Sequence, residues 1–199
     1  MRRFLTCAPM ILLLALLLAA CGRAGGNDGE QLALDIRTRM LEAAGCQMEA
    51  EVLADYGDRV YSYTLSFQWQ REGESVLKVL APDNIKGVEA VIEKGQTVLQ
   101  FDGARLETGD LDAQGLSPID ALPALLTACQ EGYITNIGTE KLGEEDTVRV
   151  TYGNANQEIV DTVQYCVWYQ RESGQPLTAE IVSDGRTVIR CNFHSFSIT

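Results

Sequence analysis

The 199 residues amount to one domain's worth of chain. Hydrophobic residues make up 46% and charged residues 22%, which excludes both a disordered tail and a polytopic membrane protein. Lys and Arg number 16 against 28 Asp and Glu, and His194 is the single histidine, so the chain lacks the basic surface that nucleic acid requires and has no multi-histidine metal site.

Residues 1–21 have the form of a lipoprotein signal peptide. Arg2 and Arg3 precede an unbroken apolar run from Met10 to Ala20, well short of the roughly 20 apolar residues of a spanning helix. The run ends in Leu18-Ala19-Ala20-Cys21-Gly22, a bacterial lipobox. Small residues at Ala19 and Ala20 suit a signal peptidase, and the Cys21 thiol is the expected lipidation site. The expected address is the extracytoplasmic face of the cell membrane, held by acyl chains such as palmitate. Loss of Arg2 and Arg3 leaves 14 basic against 28 acidic residues, a net charge of 14 − 28 = −14. Residues 22–29 (Gly-Arg-Ala-Gly-Gly-Asn-Asp-Gly) carry four Gly in eight positions and read as a flexible tether. The folded domain is expected over residues 30–199.

Four cysteines remain: Cys46, Cys129, Cys166 and Cys191. An even number in an exported protein permits two disulfides, with three connectivities. A C-terminal meander would set Cys166 opposite a residue near Val182 and leave Cys191 two strands away, beyond bridging reach. The alternative, favoured for Cys129, Cys166 and Cys191, is that they are small buried hydrophobes. No Cys-x-x-Cys occurs, and no metal or cofactor is expected.

Asp28 to Gly45 reads as one helix, with Leu32, Ile36, Met40 and Ala43 at helical spacing. From Cys46 the apolar period changes to two. Strands are expected at 46–55, 59–70, 74–81, 86–94, 97–102 and 104–109, separated by turn residues such as Tyr56-Gly57-Asp58 and Asp102-Gly103. Helix returns at Ser117-Pro118-Ile119-Asp120, where Ser is expected to cap the free N–H groups and Pro to occupy the first turn. Pro123 is expected to split this stretch into two short helices before Gly132 closes it. Strands resume at 133–142, 147–153, 160–171, 177–183 and 187–198. Short connections require antiparallel neighbours. The fold class is therefore α+β: one curved antiparallel sheet of about 11 strands, a half-barrel, with the N-terminal helix and a mid-chain helical lid on its concave face.

One strand carries a functional signal. Tyr61, Tyr63, Leu65, Phe67 and Trp69 share a face, with Ser62, Thr64, Ser66, Gln68 and Gln70 opposite. Tyr165, Val167 and Tyr169 repeat the pattern later in the chain. An aromatic stripe of this kind is either the protein's own core or the wall of a cavity for a hydrophobic guest. The five residues from Tyr61 to Trp69 are the candidate ligand-binding wall.

The segments Val79-Leu80-Ala81-Pro82-Asp83-Asn84-Ile85-Lys86-Gly87 and Val98-Leu99-Gln100-Phe101-Asp102-Gly103, the Ser117-Pro118 helix and the Gly132-Tyr133-Ile134 restart together resemble the LolA/LolB-type lipoprotein carrier superfamily. Within it, the chain resembles the clostridial germination lipoproteins of the GerS type. The resemblance spans roughly residues 30–199 and lies in order and spacing. It implies a half-barrel and lid that enclose acyl chains, or a surface that docks a partner protein. A carrier that shuttles must be soluble, whereas this chain is expected to be tethered through Cys21.

Catalytic signatures are weak. His194 and Ser195 are strand neighbours, expected on opposite faces rather than as a dyad. Asp110-Leu111-Asp112-Ala113-Gln114-Gly115 begins like a calcium loop, but Ala121 stands where the bidentate Glu belongs. Glu144-Glu145-Asp146 reads as a solvated turn. The chain is not expected to be an enzyme. It is expected to hold or transfer a hydrophobic acyl or lipid ligand, or else to act as an envelope adaptor that stabilises an exported protein such as a cell-wall or germination enzyme.

Overall fold

The computed structural model describes residues 26–93, 96–153 and 163–199. The signal segment, Cys21 and the first part of the tether lie outside the described residues. Helix α1 spans Gly26–Glu42, followed by strands β1 (Gly45–Asp55), β2 (Val60–Gln70), β3 (Ser75–Ala81), β4 (Glu89–Glu93), β5 (Gln96–Phe101) and β6 (Ala104–Gly109). Helix α2 spans Pro118–Glu131 and leads into β7 (Tyr133–Leu142), β8 (Glu145–Gly153), β9 (Gln164–Gln170), β10 (Pro176–Ser183) and β11 (Arg186–Ile198).

All 11 strands form one antiparallel sheet in the order β6-β5-β4-β3-β2-β1-β11-β10-β9-β8-β7. Every neighbouring pair is a hairpin except β1 and β11, which meet at the centre, with Val52 opposite Cys191. The sheet is open and curved. Six of its ten pairings carry a register shift, at Glu49/Ala50, Thr64/Leu65, Thr97/Val98, Ile134/Asn136, Pro176/Thr178 and Ile181/Val182. Each such irregularity bends its strand and tightens the local twist. The chain then has to pass from one outer strand, β6, to the other, β7, and α2 makes that passage across the concave face.

The burial pattern follows the pleat. On β1, Met48, Ala50, Val52 and Ala54 are at most 5% exposed, at the two-residue spacing that lines one face. On α1, Ala33, Ile36 and Met40 are buried, as is Ala43 just past its end, at the spacing that lines one side of a helix.

Four local expectations change. Helix α1 begins at Gly26, inside the stretch read as tether, and Gly29 is buried with a Cβ position only 3.2 Å from the Thr139 methyl. Strand β4 begins at Glu89 rather than residue 86. The preceding Pro82–Val88 segment folds back as a turn, in which Gly87 N–H donates to the Val79 carbonyl at 2.9 Å. Helix α2 runs unbroken through Pro123. An interior proline costs ~3 kcal/mol, whereas burying Leu122, Leu125 and Leu126 returns roughly 1.5–3 kcal/mol each. Finally, Ser117 is extended as an N-cap should be, yet its hydroxyl donates to the Asp120 carboxylate and caps no backbone N–H.

Cys46, Cys129, Cys166 and Cys191 are free and buried. Cys166 pairs with Glu180, and Cys191 with Ala179, which pairs in turn with Val167. Cys191 and Cys166 therefore sit two strands apart and on opposite faces. Burial pushes the thiols of Cys46 and Cys191 up to about 12.

Candidate functional site

The lid is fastened at its C-terminal half. Cys129 on α2 lies 3.4 Å from the Tyr169 hydroxyl, which lies 3.2 Å from the Tyr152 hydroxyl. The Arg37 guanidinium of α1 sits 5.6 Å over the Tyr152 ring and donates to the Gly132 carbonyl at the end of α2. Gln130 donates to the Met40 carbonyl at 3.2 Å. Burial pushes the Cys129 thiol up to about 11 and the Tyr169 hydroxyl well above its usual range, so the thiol and hydroxyl keep their protons beside the cationic Arg37 and serve as a clamp, not as a nucleophile.

The segment leading into the lid is fastened too. Tyr165 donates to the carbonyls of Ala113 and Gln114 at 3.1 and 3.2 Å, and Tyr56 donates to that of Leu116 at 2.9 Å. Asp120, 8% exposed, stands in the first turn of α2. Burial, and then the neighbouring Asp112 carboxylate, raise its pKa, against the hydrogen bonds from Ser117 and the Asp112 backbone.

The helices pack mainly on β1, β2, β7 and β8. Cross-strand partners share a face, so Met48, Phe67, Leu77, Ala90, Leu99 and Leu106 form one row from the sheet centre to its β6 edge. Cover is lost along that row. The first four are 5% exposed or less, Leu99 is half-buried, and Leu106 is 63% exposed. Phe101, two residues along from Leu99, is 48% exposed. This end of the concave face is apolar and open.

Beside it, under the N-terminal end of the lid, lies a cavity of about 240 Å³ lined by Tyr63, Leu65, Val79, Ile85, Val88, Ser117, Pro118 and Ile119. A much smaller space, about 20 Å³, lies near Cys129 and Tyr169 at the C-terminal half of the lid, about enough for a single water.

The five residues expected to form a cavity wall divide among three environments. Leu65 and Phe67 are 1% and 2% exposed, and only Tyr63 and Leu65 line the cavity. Tyr61 is 37% exposed and stacks on Tyr63 at 6.5 Å, with Tyr56 edge-on at 6.0 Å, forming an aromatic rim. Trp69 lies at the other end, under Arg71 at 5.7 Å, whose guanidinium also donates to the Ala43 carbonyl at 3.0 Å. Sequence periodicity missed Val79, Ile85, Val88 and Ile119, since the pocket joins a strand, a turn and a helix. His194 and Ser195 are exposed, and His194 Nδ1 lies 3.5 Å from Glu49. The register passes from Glu49↔Ser195 to Ala50↔Phe193, so His194 is the extra residue of a bulge.

No family model and no curated protein matches the sequence. Solved structures do match. A domain assigned as an outer membrane lipoprotein-sorting protein from Vibrio parahaemolyticus is 10% identical, with 88% of this chain and 94% of that one covered at a TM-score of 0.50. A LolA superfamily protein from Nitrosomonas europaea is 9% identical, with coverage of 86% and 93% and a TM-score of 0.46. The complex of the CwlD amidase with the GerS lipoprotein from Clostridioides difficile matches at 11% identity, coverage of 88% and 97%, and a TM-score of 0.43. With its helix, curved meander and crossing lid, the chain shares the fold of the Vibrio parahaemolyticus domain.

Proposed function

We propose that this chain is an envelope lipoprotein, anchored through Cys21, that binds an apolar segment of an exported partner protein on the open end of its concave face. The observation that carries this reading is the loss of cover from Ala90 to Leu106 along a single cross-strand row. An exposed apolar surface at the end of a packed core marks an interaction site. The sequence leaned toward a holder of a lipid guest, which needs a continuous interior. A cavity of about 240 Å³, below the roughly 300–1,000 Å³ of pockets for drug-sized ligands, favours the partner instead. A second reading is favoured by the lining: apart from Ser117, the cavity wall is apolar or aromatic, which suits one acyl chain. Both readings describe binding, not catalysis.

Native mass spectrometry of the protein released from its own membrane tests this. A co-released envelope protein is expected. A lipid adduct that disappears in Ile119→Trp, with no protein partner, would establish the acyl-chain reading instead. The anchor has its own test: Cys21→Ala should release the protein from the membrane fraction, and a variant that stays membrane-bound refutes Cys21 as the attachment.

A further inference from the structure

Among the described residues, strand β6 is the outer strand on its side of the sheet and pairs with β5 alone. One row of its backbone N–H and C=O groups therefore faces outward, a ready template for another strand. The opposite edge, β7, is managed differently. Helix α1 packs on it, Lys141 pairs with Asp146 at 3.4 Å, and Glu140 pairs with Arg149 at 3.5 Å. β6 has no comparable cover: its first five residues are exposed, and among the described residues neither Arg105 nor Glu107 has an ion-pair partner. Its concave side presents Leu106, beside Leu99 and Phe101.

Charge selects what fits there. From Phe101 to Asp112 the chain carries Asp102, Glu107, Asp110 and Asp112 against Arg105 alone. A second copy would bring the same acidic segment to the seam, and like charges facing one another across strands are destabilising. A basic strand is complementary.

We infer that β6 is a docking edge for an extended segment of an exported partner that alternates apolar and basic residues. The segment joins the sheet as one further strand, its apolar side chains lying over Leu99, Phe101 and Leu106 and its basic ones meeting the acidic rim. Main-chain hydrogen bonds supply the attachment, and alternate side chains the selectivity. The inference rests on the partner-binding reading above and narrows it to one edge and one chemistry.

The test uses the full chain in neutral-lipid nanodiscs and acetylated peptides matched to the six residues of β6. A peptide alternating Lys and Leu is expected to bind, and one alternating Glu and Leu to fail. The Lys–Leu peptide N-methylated at alternate residues should also fail, because it keeps its charge but cannot complete a ladder. Leu106→Lys should weaken binding roughly tenfold or more, with an unchanged melting temperature because the residue is already 63% exposed. Leu142→Lys, at the β7 edge, should leave binding intact. Equal binding by the Glu–Leu or N-methylated peptide, no binding by any of them, or indifference to Leu106→Lys overturns the inference. So does a dimer in sedimentation that Leu106→Lys dissolves, since the edge would then serve self-pairing. A native partner retained by Leu106→Lys overturns the edge assignment alone. Absence of any partner from the unmodified protein strikes the partner-binding reading itself and the inference with it.

Discussion

The Tyr169 hydroxyl lies 3.4 Å from the Cys129 sulfur, so strand β9 and the lid share a polar contact inside an otherwise apolar interface. Tyr169 also serves Tyr152. Tyr169→Phe therefore leaves two buried groups short of a partner and should cost ~1–3 kcal/mol in urea denaturation. Tyr152→Phe combined with Tyr169→Phe should cost less than the sum of the single changes, because the pair vacates the network together. Strict additivity would show that the two hydroxyls do not act as a unit.

Asp120 makes stability depend on pH in an unusual direction. Its folded-state pKa lies above the ordinary aspartate value of 3.8, so the folded protein holds that proton more tightly than the unfolded chain. Its contribution is fully present below 3.8 and is lost as pH rises through the raised folded value. Asp120→Asn removes this titration and should gain stability relative to the parent as pH rises from near 3.8 toward neutrality. Thermal melts of both proteins across that range check it, and parallel curves would contradict it.

Filling the cavity should separate the open end of the interface from its packed centre. Leu65→Trp can direct its added volume into the space of about 240 Å³ and should shift stability by less than about 1 kcal/mol, whereas the fully buried Leu77 replaced by Trp should cost ~1–3 kcal/mol. Equal losses at the two sites would mean that the cavity cannot accept a side chain from Leu65.

Gly115 joins backbone and packing constraints at the entrance to the lid. Its φ is +67°, and a Cβ there would meet the Ala124 Cβ at 2.6 Å and the Ile181 methyl at 3.1 Å. Gly103, at φ +78°, has open space around it. Gly103→Ala should cost only the left-handed backbone penalty of ~1–2 kcal/mol, and Gly115→Ala clearly more. Hydrogen exchange should show the excess as faster opening of the first turns of α2.

Much of the architecture is legible in the sequence because it is written locally. Two-residue alternation marks the strands, Asp102-Gly103 and Asp184-Gly185 mark hairpins, and short connections fix the antiparallel order. The fate of the Tyr61–Trp69 stripe is not local. One face was readable, but whether a residue ends as core, cavity wall or rim depends on where a helix from the far half of the chain comes to rest. Pro123 fails as a break for the same reason, since three buried leucines of tertiary origin outweigh a local rule. The pocket residues Ile85 and Val88 lie in a turn that carries no periodic signal.

The pairing of β1 with β11 has a consequence for assembly. The segments β1–β6 and β7–β11 are each meanders of neighbouring hairpins, and such local pairings form early. The seam joining them closes one of the longest loops in the fold: Cys46 must find Ile198. Until Arg186–Ile198 has been made and has docked, β1 presents an unpaired inner edge in the middle of what will become the sheet. In that interval the nascent half-sheet is open to strand capture by other chains. The acidic excess of the chain works against such capture.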